Sequence, residues 1–202
     1  MSQSQQMESS PLVDALRFLG QWAKNPRMIG AVAPSGPYLA RKMASHVDLA
    51  REGPIVELGP GTGPVTQALL ARGVPRERLL LVEYDSHFCE LLAERYPGVK
   101  IVQGDAYHLT KTLDGHVDGP VASVVSSLPL LVMPEADRIR LLKDVFLMMG
   151  PQGTMIQFTY GPKSPMPLEG PELSGGYTGS CSAPIILNIP PARVWLYRSS
   201  TA

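Results

Sequence analysis

An excess of charge of either sign is missing from this chain of 202 residues: 18 lysines and arginines are matched by 18 aspartates and glutamates. Such a composition writes in no broad attraction to nucleic acid, so any anionic surface it binds must be met locally. Cysteine is scarce. Cys89 and Cys181 lie far apart with neither metal-ligand spacing nor a disulfide framework around them, which points to a reducing compartment and to no metal. Long apolar runs are lacking too. None approaches the roughly 20 residues that span a bilayer, and the polar, uncharged stretch from Met1 to Gln6 is not the basic start of a secretory signal. A cytoplasmic chain is expected, at most peripheral on the inner face of a membrane. No internal repeat appears. What is present is an apolar content of 44%, enough at this length for one domain, residues 1–202, around a single core.

The chain is organised around Ile55-Val56-Glu57-Leu58-Gly59-Pro60-Gly61-Thr62-Gly63-Pro64, an apolar run that ends in an acid and a glycine-rich turn. Three glycines within five residues clear side chains from a place where backbone must approach a ligand. Thr62 or Gly63 can cap the following helix, and Pro64 suits its first turn. From there the pattern alternates: a helix from Pro64 to Gly73, a strand over 79–83, a helix over 86–95, strands over 99–102 and 121–125, a helix over 134–149 and a strand over 154–159. Apolar strands separated by helices predict an α/β fold with a doubly wound, mostly parallel sheet. Residues 161–184, rich in Gly, Pro and Ser, read as a long loop, and 185–188 with 194–197 as a C-terminal antiparallel hairpin.

Residues 1–46 read as an N-terminal helical extension. Leu12, Leu16, Leu19 and Ala23 form one face of a helix over about 11–24, widened by Val13, Phe18 and Trp22 and flanked by Arg17, Lys24 and Arg27. Such a face either packs onto the domain or lies in a membrane surface. A second helix, capped by Ser35, runs through Tyr38 and Met43 towards His46.

In an open parallel sheet, ligands sit beyond the carboxyl ends of the strands. Glu57 and Glu83 close the first two strands, Asp105 follows the third, and Ser126-Ser127-Leu128-Pro129 follows the fourth. Two ligands compete for such a seat. A dinucleotide prefers Gly-x-Gly-x-x-Gly with an acid about 20 residues further on. Glu83 meets the second condition, but the third glycine comes one residue early. Glu57 would repel a pyrophosphate and suits a cation or an ammonium group. Asp105 offers a carboxylate to an adenine amino group.

Glu57-Leu58-Gly59-Pro60-Gly61-Thr62-Gly63, Glu83-Tyr84-Asp85, Gly104-Asp105-Ala106 and Ser127-Leu128-Pro129-Leu130 together resemble the class I S-adenosylmethionine-dependent methyltransferases, over most of the chain. Asn25-Pro26-Arg27, the run from Gly30 to Ser35, Ser126 to Leu131, Phe158 to Pro162 and Asn188 to Trp195 narrow the resemblance to the bacterial phospholipid N-methyltransferases, which convert phosphatidylethanolamine stepwise to phosphatidylcholine. The resemblance implies S-adenosyl-L-methionine as cofactor and S-adenosyl-L-homocysteine as product. It implies that Gly59, Gly61, Thr62 and Gly63 admit the methionine portion with Glu57 near its ammonium group. Glu83 would take the ribose, with Tyr84 in the same set; Asp105 and Ala106 would meet the adenine. Ser126, Ser127 and Leu128 would line the channel to the methyl group. The related ribosomal RNA adenine dimethyltransferases place Asn or Asp at the position of Ser127, which argues here against a nucleic-acid partner.

Methyl transfer from a sulfonium is an in-line displacement that rests on positioning. The attacking amine must be neutral, although its pKa is roughly 10. Tyr160, Ser126 and His108 are the candidate catalytic groups, since they fall at or just beyond strand ends. Arg193, Lys163 and Arg41 are candidates for a lipid phosphate, and Arg17, Phe18, Trp22 and Lys24 for an anionic membrane surface. The loop after Gly161 is placed to close over a headgroup. Three other readings stand beside this one: a methyltransferase for a soluble amine or an rRNA base, a nicotinamide-dependent oxidoreductase, and a non-catalytic membrane-binding protein that keeps the cofactor seat.

Overall fold

The apolar runs pair side by side in parallel. In the computed structural model, which describes residues 36–168 and 176–200, β1 (Ile55–Leu58) lies between β2 (Leu79–Glu83) and β4 (Ser123–Ser126). Outside them, β3 (Lys100–Gln103) flanks β2 and β5 (Thr154–Thr159) flanks β4. The sheet is completed by β6 (Tyr177–Cys181) and β7 (Arg193–Ser199), both antiparallel, in the order β3-β2-β1-β4-β5-β7-β6.

Every residue of β1, β2 and β4 is buried, because a parallel sheet must be covered on both faces. Ile55, Leu81, Val125, Ile156 and Val194 pack with residues of α1 (Pro37–Ser45), α2 (Pro64–Arg72) and α3 (Ser86–Arg95). Their neighbours Val56, Leu80, Val124, Met155 and Tyr197 pack on the other side with α4 (Leu109–Thr112) and α5 (Glu135–Met149). The period-two alternation of buried strands thus sorts one apolar sequence into two cores. The α/β, doubly wound, mostly parallel sheet expected from the sequence is the fold observed, and an antiparallel strand pair does close its C-terminal side.

Three local expectations need correction. Gly36, not Ser35, occupies the N-cap of α1. The final hairpin does not use 185–188 as a strand: that segment makes one isolated bridge, Ile185 with Ala192. Its partner strand is β6, inside the stretch read as loop. Tyr177–Cys181 is a half-exposed edge strand of polar and small residues, so it carries no apolar alternation to detect. The apolar residues Ile186, Leu187 and Ile189, which suggested a strand, are exposed instead. The expected helix over 11–24, with Arg17, Phe18, Trp22 and Lys24, lies outside the described residues, as does 169–175 of the long loop. Among the described residues no helix is long and apolar enough to cross a membrane.

Candidate active site

Strand order reverses between β1 and β4, so the carboxyl ends of β1 to β4 open onto one ledge. Backbone bonds carry the ladders past the strand ends: Gly59 N–H donates to the Val82 carbonyl, Ser127 N–H to Leu58 and Gly104 N–H to Glu83, each at 2.9 Å. The glycine turn is thereby fixed above the sheet. Gly63, the N-cap of α2, sits at φ 83°, and a Cβ there would lie 2.6 Å from the Tyr96 ring. Tyr96 also donates its hydroxyl to the Gly63 carbonyl at 2.7 Å, so only glycine fits between that ring and the turn. Arg95 Nη1 donates to the Thr62 carbonyl at 2.7 Å, tying the end of α3 to the same turn.

Two carboxylates lie beneath this turn. Glu83 accepts from the backbone amides of Gly61 at 3.0 Å, Tyr84 at 2.9 Å and Asp85 at 3.0 Å. That leaves one lone-pair direction of about four for a ligand. Glu57 is completely buried. Its Oε2 accepts the Thr66 hydroxyl at 2.7 Å, while its Oε1 has no hydrogen-bond partner among the described residues. Burial pushes the Glu57 carboxyl up to about 8, the Thr66 hydrogen bond pulls the other way, and the Glu83 charge raises it further. At neutral pH the carboxyl therefore mostly holds its proton, and a cation placed beside Oε1 would favour the ionised form. Further along the ledge, Tyr84 is exposed and Ala106 buried. The Asp105 carboxylate accepts from Tyr107 N–H at 2.8 Å and meets His108 Nδ1 at 2.9 Å.

The other half of the ledge is apolar. A small cleft of about 20 Å³ is lined by residues 128–132, Phe158, Thr159, Tyr160 and Pro165. Ser126 is buried, with its hydroxyl 3.4 Å from Leu128 N–H, so it shapes the turn rather than facing the cleft. The Ser127 hydroxyl is buried without a partner among the described residues. Tyr160 packs edge-on against Phe158 with ring centroids 5.4 Å apart. Burial pushes its hydroxyl up to about 12, an Asn188 hydrogen bond partly offsetting this, so at neutral pH it is a hydroxyl and not a phenolate base. His108 follows β3 by five residues, meets Asp105 through Nδ1 at 2.9 Å and is not among the residues that line the cleft. Arg193 is spent on the Ser182 carbonyl at 3.1 Å, Lys163 is exposed, and Arg41 stacks 4.8 Å above the Tyr38 ring.

Two residues of this half escaped the sequence reading. Gln157, buried in β5, donates from Nε2 to the Leu128 carbonyl at 3.0 Å and the Phe158 carbonyl at 2.9 Å. A polar residue amid Met-Ile-Gln-Phe was the available signal. Asn188, also buried, accepts Gly36 N–H at 2.9 Å, donates to the Pro190 carbonyl at 2.8 Å and bonds Tyr160.

Comparison with known proteins divides along the same line. The ribosomal RNA adenine dimethylase family matches residues 36–127, which end just before the apolar cleft. The ribosomal RNA small subunit methyltransferase A of Brucella canis is 37% identical over 95 residues, 45% of this chain and 33% of that protein. The ornithine lipid N-methyltransferase of Singulisphaera acidiphila is 34% identical over 152 residues, 74% of this chain and 79% of that protein. Among solved structures, the glycopeptide N-methyltransferase MtfA complexed with S-adenosyl-L-methionine shares the fold at a TM-score of 0.51 and 20% identity, over 86% of this chain and 71% of that one. The cofactor is S-adenosylmethionine, as the resemblance implied. The unpartnered Glu57 oxygen and the glycine-rich turn fit its cationic, ammonium-bearing end. With the parallel sheet, the turn and a relative alike over most of both chains in hand, this chain belongs to the class I S-adenosylmethionine-dependent methyltransferases, in the family of the ornithine lipid N-methyltransferase.

Proposed function

We propose that this methyltransferase acts on the amine of a membrane lipid, with phosphatidylethanolamine as acceptor on the way to phosphatidylcholine and ornithine lipid as the competing acceptor. The observation that carries this reading is the cleft beyond Leu128. It lacks charged side chains and lies past the 36–127 span that matches the ribosomal RNA enzymes. The similarity to the lipid enzyme is longer than that span and extends beyond it.

In this reading Gly59, Gly61, Thr62 and Gly63 admit the cofactor's methionine portion, Glu57 balances its ammonium group, Glu83 and Tyr84 meet the ribose, and Asp105 and Ala106 the adenine. Bound S-adenosylmethionine supplies a methyl group activated by its sulfonium. Ser126, Ser127 and Leu128 fix the turn between cofactor seat and cleft, and Gln157 holds that turn through the Leu128 carbonyl. The Tyr160 hydroxyl, oriented by Asn188, hydrogen-bonds the incoming amine. With hydroxyls and carbonyls as the cleft's polar groups, the amine loses its proton to water. An ammonium of pKa about 10 then makes the rate rise about tenfold per pH unit below that value. A pH-independent rate from about pH 6 to pH 9 would require a base that this account omits. The acceptor places the enzyme on the inner face of a membrane, where the exposed Lys163 faces lipid phosphates.

The test is incubation of the full chain with methyl-labelled cofactor and, separately, vesicles of phosphatidylethanolamine, vesicles containing ornithine lipid, free ethanolamine and ribosomal RNA. Label in a vesicle lipid is expected. Label confined to ethanolamine or RNA overturns the reading.

A further inference from the structure

We propose that the connection between β6 and β7, residues 182–192, is a tip that seats in a lipid bilayer beside the acceptor cleft. The inference rests on the lipid-acceptor reading above. Ile186, Leu187 and Ile189 are 75%, 67% and 93% exposed, and residues 182–192 contain no charged side chain. A soluble loop gains by folding such side chains inward. Here the inward position is taken by Asn188, which is buried between two bulky aliphatic residues that face out. Its bonds to Gly36, Pro190 and Tyr160, with Ile185 N–H on the Ala192 carbonyl at 2.7 Å, brace the base of the tip and hold that arrangement.

Two observations name the occupant as lipid. The tip is continuous with the cleft: Asn188 bonds Tyr160 in the cleft wall, and the opposite wall carries Leu131 and Val132, themselves 36% and 43% exposed. A bilayer that received the tip would therefore bring its headgroups to the cleft mouth. The second is charge. Gly36, bonded to Asn188, starts α1, whose first two turns carry the exposed Tyr38 with Arg41 stacked on it and Lys42 beside it. An apolar wedge flanked by an interfacial aromatic and two cations is complementary to acyl chains beneath anionic phosphates.

Full-length protein and a triple variant, Ile186→Ser, Leu187→Ser and Ile189→Ser, are to be compared by sedimentation with vesicles of phosphatidylglycerol and phosphatidylcholine. Loss of the aliphatic surface should weaken vesicle binding about tenfold or more. The thermal midpoint and the affinity for S-adenosylhomocysteine should stay unchanged. Methylation of vesicle-borne lipid should fall, and that of the same headgroup on a dispersed short-chain lipid should not. A single Ile189→Trp variant gives a readout independent of the triple variant's folding: its emission should be quenched by lipids brominated on the acyl chain, beyond any quenching of Trp22 and Trp195 in the unaltered protein. Vesicle binding equal to wild type overturns the proposal. So does a fall in thermal midpoint with binding unchanged, which makes the tip a seat for residues 1–35, or a dimer split by the variant with binding unchanged. If the tip binds vesicles but no lipid is methylated in either form, docking stands and the lipid-acceptor reading fails. If lipid is methylated and the triple variant matches wild type in every assay, docking alone fails.

Discussion

Replacing Glu57 by glutamine should make the fold more stable in alkali while weakening its hold on the cofactor. Glu57 is fully buried, accepts one hydrogen bond from Thr66 and leaves its other oxygen unpartnered among the described residues. Burial raises its pKa from 4.5 to about 8, so the folded state holds this proton more tightly than the unfolded chain does. Stability from such a group is fully present below the unfolded value and is lost as pH rises through the folded one. At about 1.4 kcal/mol per unit, the loss amounts to about 4 kcal/mol between about pH 5 and pH 9. Glutamine keeps the shape and an acceptor for Thr66 but never ionises. In urea unfolding, the variant should match wild type in mild acid and exceed it by an amount of that order in alkali. The cofactor's ammonium group should reverse the cost by ionising Glu57, so wild type should release a proton on binding S-adenosylhomocysteine near neutral pH, visible by calorimetry in buffers of different ionisation heat. The variant should release none and bind about tenfold more weakly. Parallel stability profiles for the two proteins would show that Glu57 does not titrate in the fold, and the reasoning would be refuted.

Gly63→Ala forces a Cβ against Tyr96 at a positive φ, which should cost at least about 1–2 kcal/mol in thermal unfolding and abolish S-adenosylhomocysteine binding. Asn188→Ala strands Gly36 N–H and the Tyr160 hydroxyl, and a loss of about 2–3 kcal/mol in chemical denaturation is expected. Gln157→Leu frees the Leu128 carbonyl, so kcat should drop about tenfold while S-adenosylhomocysteine affinity stays within about twofold; equal losses in both would place Gln157 with the cofactor instead.

The cofactor half was legible because its signals are local. Gly59, Gly61 and Gly63 are read by spacing, and Glu57 and Glu83 by following apolar runs, so strand ends and acids were found together. The acceptor half was not, because its decisive groups act across long separations. Asn188 bonds residues 152 and 28 positions away, and no periodicity announces such a partner. β6 was missed for the complementary reason. An edge strand needs no apolar alternation, while the aliphatic residues beside it, Ile186, Leu187 and Ile189, imitate one. Among the proposed catalytic groups, sequence placed Ser126, Tyr160 and His108 all at or just beyond strand ends, but only the folded chain shows that Tyr160 lines the cleft and His108 does not.

The position of β7 within the sheet governs how the chain is completed. β7 is last in sequence but interior in space, joined to β5 on one side and β6 on the other. β6 therefore emerges from the ribosome with no strand to pair with. Until β7 arrives, β5 stands as an open edge bearing the apolar run Met155, Ile156 and Phe158, a template for intermolecular pairing. The base of the tip, where Ile185 bridges Ala192 just before β7, belongs to that last pairing. The parallel strands and the glycine turn depend on none of these C-terminal pairings.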